Sequence, residues 1–452
     1  MKKYFGTDGI RGRANTDPMT PELALKLGRA IGQFVRKNER RHMVVIGKDT
    51  RLSGYMIEHA MVGGLTAAGM DVRLIGPAPT PAVGLLTRSM RADLGVMITA
   101  SHNPYTDNGI KLFGPDGFKL PDSAELDIER LLETDPKASS VDGMKIGKLA
   151  HYKDAYGRYI EAAKTSFPRD LTLKGVKVVV DCANGAAYRV APEALWELGA
   201  DVDTIGINPN GTNINRGCGS TAPEAMVDRV CEIGADIGIA FDGDADRVIL
   251  CDERGELIDG DQIIARIATD QNRAGLLKGG GVVTTVMSNF AMERYLNDTG
   301  LTLARTKVGD RHVVERMRNN GFNIGGEQSG HVVLLDHATT GDGLIAALQV
   351  LASCIRAQQP ASQACHLFEP APQILINVRY EGESPLNTEQ FKAAYEAAER
   401  RLGNMGRLVV RASGTEPVIR VMAQGDEQSL IEDVAGELAQ LIENTSGAAA
   451  LH

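Results

Sequence analysis

The chain has 452 residues, 43% hydrophobic and 24% charged, which is the balance of a globular protein several domains long. Its formal charge is −9, so general nucleic-acid binding is not expected, although residues 1–51 are locally basic and suit an anionic small molecule. No apolar run approaches the 18 or so residues of a membrane span, and the first residues hold no apolar signal segment, so a cytoplasmic protein without membrane contact is expected.

In chain order, His42–Gly47 reads as a buried strand, followed by a helical stretch and a second strand over Ala68–Gly76. The same pattern returns at Val176–Asp181 with Leu198–Gly206, and again at Gly281–Val286 with Thr299–Arg305. Strand, helix, glycine turn and strand make a βαβ unit, with parallel strands and a right-handed crossover. Each copy continues into a short apolar strand and a polar loop: Ala92–Ile98 into Thr99–Pro104, Ala235–Phe241 into Asp242–Arg247, and Phe322–Gly326 into Glu327–His331. Open α/β sheets bind ligands beyond the carboxyl ends of their strands, so three similar domains each present one chemical loop. From about Pro372 the pattern changes: strands over Ile374–Arg379, Leu408–Arg411 and Val418–Val421 and helices over Gln390–Arg401 and Ser429–Glu443 form a small α+β domain. Thr445–His452 is rich in small residues and is expected to fray.

The first loop puts Ser101 and His102 just past a strand, with Lys111 on the following hairpin around Gly114–Gly117. Ser101 is a nucleophile if something activates it; otherwise it is a loop serine making a turn hydrogen bond, and Lys111 is a surface lysine. In the second loop, Asp242, Asp244 and Asp246 project to one side of an extended chain, where their mutual repulsion calls for a hard divalent cation. A polar β-turn is the other reading. A calcium helix-loop-helix is excluded because Arg247 stands where that loop needs glycine and the flanks read as strands. The third loop offers Glu327, Ser329 and His331 to sugar hydroxyls or to an ammonium, or is a plain connection, and Lys307, Gly309 and Asp310 lie after the neighbouring strand. The fourth, Arg411–Pro417 with Arg420 beyond, is an anion nest or a hairpin turn with solvated arginines. Gly217–Ala222 fits G-x-G-x-x-A, but no strand precedes it, so dinucleotide binding is unsupported. The six cysteines (182, 218, 231, 251, 354 and 365) include no C-x-x-C pair, which argues for a reducing compartment and against zinc.

Taken together and in this order, the four loops resemble the α-D-phosphohexomutase superfamily over about residues 3–443. Within it the chain is similar to the bacterial phosphoglucosamine mutases, on Phe5–Gly12, Thr99–Pro104, Gly326–His331 and Thr339–Gly343. The resemblance implies an α/β fold of four domains around a central cleft, the first three alike and mixed-sheeted, the fourth a small α+β domain. Their expected bounds are 1–154 (phosphoserine), 155–255 (metal), 256–371 (sugar) and 372–452 (phosphate). It implies an isomerase that converts glucosamine 6-phosphate to glucosamine 1-phosphate through a phosphoserine and a 1,6-bisphosphate, feeding UDP-N-acetylglucosamine and peptidoglycan synthesis. Residue by residue it implies phosphoserine at Ser101; Mg²⁺ on Asp242, Asp244, Asp246 and Ser101; and Glu327 and Ser329 on the sugar. Arg411, Ser413, Gly414, Thr415 and Arg420 would hold the non-reacting phosphate, while Arg11, His102, Lys111, Arg247, Lys307 and His331 line the reacting one, Lys111 and His331 being the acid/base pair. Glucosamine or glucose 1,6-bisphosphate would be the activator, a kinase or autophosphorylation would first load Ser101, and a homodimer follows by analogy. Rival expectations are a mutase for glucose or mannose phosphates, a Mg²⁺-dependent phosphatase, and a non-catalytic sugar-phosphate sensor.

Overall fold

A computed structural model of the chain describes all residues except 1, 39, 134–139, 381–383, 413–417, 447–449 and 452. Two compact units are formed, one from Met1–Thr285 with Ala304–Leu367, the other from Val286–Leu303 with Phe368–His452.

In the first unit, the strands His42–Lys48, Met70–Pro77, Leu94–Ile98 and Asp107–Phe113 form the heart of a seven-stranded sheet. His42–Lys48 pairs in parallel with Met70–Pro77 on one side and with Leu94–Ile98 on the other, and Asp107–Phe113 then pairs antiparallel to Leu94–Ile98. Numbered in chain order, that is 2-1-3-4. The same order recurs for Lys177–Asp181, Asp201–Ile205, Ile237–Phe241 and Val248–Asp252. It recurs again for Gly281–Thr285, Thr302–Thr306, Ile324–Gly326 and Val332–Leu334, the division between units falling inside Thr302–Thr306. The repeats seen in the sequence are therefore three copies of one topology. In each copy the chain reverses direction across the sheet after its second strand, which opens a crevice between the first and third strands at their carboxyl ends. The three polar loops follow the third strand of each copy.

Local chemistry explains the elements. Val44, Val45, Ile46, Val96, Met97 and Ile98 are β-branched or apolar without a polar alternation, and all are fully buried, as a strand covered on both faces requires. Helix Pro21–Val35 starts where Thr20 accepts the Leu23 N–H and Pro21 presets the first turn. It packs against Ser53–Ala67 so closely that a Cβ on Gly64 would lie 2.1 Å from the Leu25 carbonyl oxygen, so only glycine permits that crossing. Leu27, Ile31, Ile57, Met61 and Leu65 join the strand residues in one core, each contributing roughly 1.5–3 kcal/mol by burial.

The second unit is built on the antiparallel strands Gln373–Arg379, Gly406–Ala412 and Val418–Gly425, with helices Glu389–Leu402 and Gln428–Ser446 burying Phe391, Leu402, Ile431, Val434 and Leu438 against them. Helix Phe290–Asp298 belongs to this unit and is held by a bidentate pair between Arg294 and Asp426. Ala450–Leu451, expected to fray, instead pairs with Asn377 and Val378, because the outer strand Gln373–Arg379 offers an unfilled edge. No helix among the described residues is long and apolar enough to cross a membrane.

Candidate active site

In the first unit, Ser101 follows the buried strand Leu94–Ile98 and has φ +53°, a conformation a residue with a Cβ holds only when its surroundings impose it. Its backbone N–H donates to Thr99 Oγ1 at 2.9 Å, and Thr99 Oγ1 in turn donates to Asp49 Oδ2 at 2.7 Å. The Ser101 side chain donates to Asp242 Oδ2 at 2.5 Å, from a loop 141 residues away. His102 Nδ1 lies 3.2 Å from the same hydroxyl. Burial, followed by the repulsion of Arg247 and Arg11, pushes the His102 imidazole down to about 4, so it is neutral at pH 7.

Asp242, Asp244 and Asp246 are buried on the loop between the antiparallel strands Ile237–Phe241 and Val248–Asp252. One carboxylate oxygen from each lies within 4.8 Å of the others. Asp244 Oδ1 and Asp246 Oδ1 are buried with no hydrogen-bond partner among the described residues. Three buried carboxylates, two of them with an unpartnered oxygen among the described residues, make an all-oxygen donor set that fits a hard cation of the Mg²⁺ type. Ala245, with φ +57°, turns the loop so that the aspartates converge. The alternative of a plain polar turn does not account for the burial. Burial and then the neighbouring charges of Asp244 and Asp246 push the Asp242 carboxyl well above the usual range. For Asp246 burial acts the same way, but Lys111, His331 and Arg247 outweigh it and bring the group to about 2.

Lys111, which taken alone reads as a surface lysine and which the resemblance puts at the reacting phosphate, is 1% exposed. Its Nζ lies 3.0 Å from Asp244 Oδ2, 3.1 Å from Asp246 Oδ2 and 3.2 Å from Asp8 Oδ2. Burial would release its proton, yet those carboxylates hold it well above the ordinary lysine range. Lys111 pairs with Met97 in a strand whose residues Asn108–Phe113 are all buried, so a side chain on either face of it is covered. Arg11 pairs with Asp8, and Arg247 lies at 4.0 Å from Asp246. His331 is buried, 3.9 Å from Asp246 and 3.5 Å from Asp310. Gly341 leaves the room for it: a Cβ there would lie 2.5 Å from His331 Nε2. Glu327 accepts the Gly309 N–H at 3.1 Å, so the third loop and Lys307–Asp310 do meet. Ser329 and Lys307 are exposed.

In the second unit, Arg411 and Arg420 lie directly opposite each other on antiparallel strands and so share one face. The Nε of each is buried and has no hydrogen-bond partner among the described residues. Burial, then the charge of Arg420, lowers the Arg411 guanidinium from its usual value. Two facing cations of this kind suit an anion. Ser413, Gly414 and Thr415 lie outside the described residues.

Several contributors escaped the sequence reading. Asp8 is bound by Lys111, Lys119 and Arg11, which overcome its burial and hold it well below the carboxylate range. Lys119 also reaches Asp310 at 2.5 Å. Thr80 donates to Asp244 Oδ2 at 2.5 Å. Arg51 and Asn215 hold the Ser101 loop from beneath. Asp8 stood inside a recognisable motif, and Lys119 on the hairpin beside Lys111; nothing local marked Thr80, Arg51 or Asn215.

Comparison with known proteins agrees with this geometry. Family models described as phosphoglucomutase/phosphomannomutase match in four consecutive parts: alpha/beta/alpha domain I over residues 2–139, domain II over 154–255, domain III over 259–371 and the C-terminal domain over 375–441. A phosphoglucosamine mutase of Azorhizobium caulinodans is 60% identical over 441 residues, covering 98% of each chain. One of Agrobacterium fabrum is 59% identical over 448 residues, covering 99% of this chain and 100% of its own. Among solved structures, a phosphoglucomutase/phosphomannomutase family protein of Burkholderia thailandensis superposes with a TM-score of 0.82 at 23% identity over 100% of both chains. An Aspergillus fumigatus N-acetylphosphoglucosamine mutase, solved with GlcNAc-6P and magnesium, gives 0.68 at 19% identity over 98% of this chain and 96% of that one. With its three 2-1-3-4 sheets, its buried serine against an aspartate triad and these relatives over its whole length, the chain belongs to the phosphoglucomutase/phosphomannomutase family of α-D-phosphohexomutases.

Proposed function

We propose that this chain is an isomerase interconverting glucosamine 6-phosphate and glucosamine 1-phosphate, with Ser101 carried as phosphoserine. The observation that carries the reading is the 2.5 Å contact between Ser101 Oγ and Asp242 Oδ2 at the edge of a buried aspartate triad. A hydroxyl meant only to shape a turn has no use for that neighbour. Relatives named phosphoglucosamine mutase at about 59–60% identity over essentially the whole chain supply the amino-sugar preference.

Asp242, Asp244 and Asp246 would hold Mg²⁺, which supplies charge neutralisation at a transferring phosphoryl group. The chain's own residues do the rest. The free hydroxyl oxygen of the sugar phosphate attacks the phosphorus on Ser101, the bond from phosphorus to Ser101 Oγ breaks, and the hydroxyl proton passes to a base. The resulting 1,6-bisphosphate turns over, its other phosphoryl returns to Ser101 Oγ, and glucosamine 1-phosphate leaves. Lys111 and His331, both near Asp246, are the groups proposed to move the protons: His331 takes the one from the sugar hydroxyl, and Lys111, kept protonated by its carboxylates, gives one to Ser101 Oγ as the phosphorus leaves. Arg11, Arg247 and His102 would line the reacting phosphoryl, and Glu327 and Ser329 the sugar; in the second unit, the facing Arg411 and Arg420 suit a phosphate. The four segments 1–154, 155–255, 256–371 and 372–452 would divide these tasks. A glucosamine or glucose 1,6-bisphosphate would reload Ser101 whenever water removes its phosphate.

The test is ³¹P NMR on the protein with Mg²⁺, a trace of hexose 1,6-bisphosphate and glucosamine 6-phosphate, beside glucose and mannose 6-phosphates. A 1-phosphate signal appearing fastest from glucosamine is expected. Faster conversion of another sugar would overturn the substrate assignment. Inorganic phosphate alone would replace the mutase with a phosphatase, and no turnover at all would leave a sensor.

A further inference from the structure

Arg51 is a fully buried arginine that the reaction just described does not use. A guanidinium has five N–H donors, and every nitrogen here is engaged. Nε donates to Asp49 Oδ2 at 2.7 Å. One terminal nitrogen donates to the Ser101 carbonyl at 2.8 Å and the Asn103 carbonyl at 2.9 Å. The other donates to the Asp107 carbonyl at 3.1 Å and to the Pro104 carbonyl. Four carbonyls, three of the loop and one at the start of the strand that follows, therefore close around a single planar cation. Asn215, from the second repeat, donates to two of the same oxygens, Ser101 O at 2.9 Å and Asn103 O at 3.0 Å. Both of these carbonyls thus take two donors each. Asp49 is shared with Thr99, whose Oγ1 accepts the Ser101 N–H.

With the carbonyls gathered inward, the Ser101 side chain is left facing Asp242, and its left-handed backbone is held by partners before and after it. We propose that Arg51 and Asn215 form a two-sided clamp of positioning residues that aims the Ser101 oxygen for phosphoryl transfer. Neither touches the reacting atoms; they act through the loop. A lysine keeps the charge but has three donors on one nitrogen and cannot span four carbonyls. Misplacing an attacking or leaving oxygen by about 1 Å is enough to cost about 100-fold in rate.

The kinetic arm of the test rests on the mutase reading, so a second arm does not. Full-length Arg51→Lys and Asn215→Ala are compared with the unmutated chain for kcat and KM with glucosamine 6-phosphate, and for amide hydrogen exchange over 99–108. The clamp predicts kcat lower by about tenfold or more, KM within about twofold, and faster exchange confined to 99–108. If Arg51→Lys does not fold, Asn215→Ala decides, since it removes only two of the loop's bonds. Undiminished kcat in a folded variant, unchanged loop exchange, or faster exchange spread over the whole chain overturns the clamp. If the unmutated chain shows no mutase turnover, the functional reading fails on its own, and the exchange arm still decides the clamp.

Discussion

Gly243, between Asp242 and Asp244, has no room for a side chain. A Cβ added there would stand 2.6 Å from the Ser101 carbonyl oxygen, 2.8 Å from Ile214 Cδ1 and 3.0 Å from Asn215 Nδ2. Ordinary contact begins near 3.4 Å, so Gly243→Ala forces the two loops apart by about 0.8 Å. Neither side yields freely. Gly243 O accepts the Ala186 N–H at 2.8 Å, and Ser101 O is held by Arg51 and Asn215. Overpacking of this kind costs about 1–3 kcal/mol in stability, a fall of a few degrees in Tm. The effect on rate is larger in proportion, because the clash falls on the carbonyl of the residue whose hydroxyl meets Asp242: kcat should fall by roughly 10–100-fold. The assay is conversion of glucosamine 6-phosphate under saturating Mg²⁺ and bisphosphate, with Tm measured on the same preparation. A variant with undiminished kcat and Tm would refute the claim that these loops meet at fixed distance.

Three further outcomes are expected. Ser101→Ala should fold normally and lose turnover together with any phosphate carried on the protein, read by intact mass; substantial activity would rule out the covalent route. Asp244→Ala should raise the Mg²⁺ concentration needed for half-maximal activity by at least about tenfold, since even outer-shell partners of a metal are worth that much, and an unmoved titration would show that the triad is not the metal site. Asp342, buried with Tyr159 donating to it at 2.9 Å, is pushed by its burial up to about 6. Unfolded, it ionises near 4, so between pH 4 and pH 6 the folded chain keeps a proton that the unfolded chain has shed, and stability falls as pH rises, by about 3 kcal/mol at most. Asp342→Asn has no such titration, so its Tm should gain on the parent from pH 4 to pH 6.5; a constant difference would contradict the burial argument.

The repeats and the aspartate loop were readable in one dimension because their causes are local. A strand buried on both faces must be continuously apolar, as in Val44–Ile46 and Val178–Val180. Carboxylates at alternate positions advertise a cation wherever the loop ends up. The parallel pairing of the first two strands of each repeat followed from the βαβ rule, and the small C-terminal domain from its change of period, whereas the 2-1-3-4 order came from the packed sheets. Lys111 was not readable from its own surroundings. Its strand is covered on both faces, and only the packing of the first repeat beside the second gives it Asp244 and Asp246 to neutralise. The same holds for Arg51 and Asn215. An arginine next to Thr50 and an asparagine in a loop carry no mark of function until the chain places them on the same two carbonyls, 164 positions apart in sequence. Periodicity reports which side of an element faces the core. Which group stands against which depends on contacts between distant segments, and those arise only when the sheets have packed.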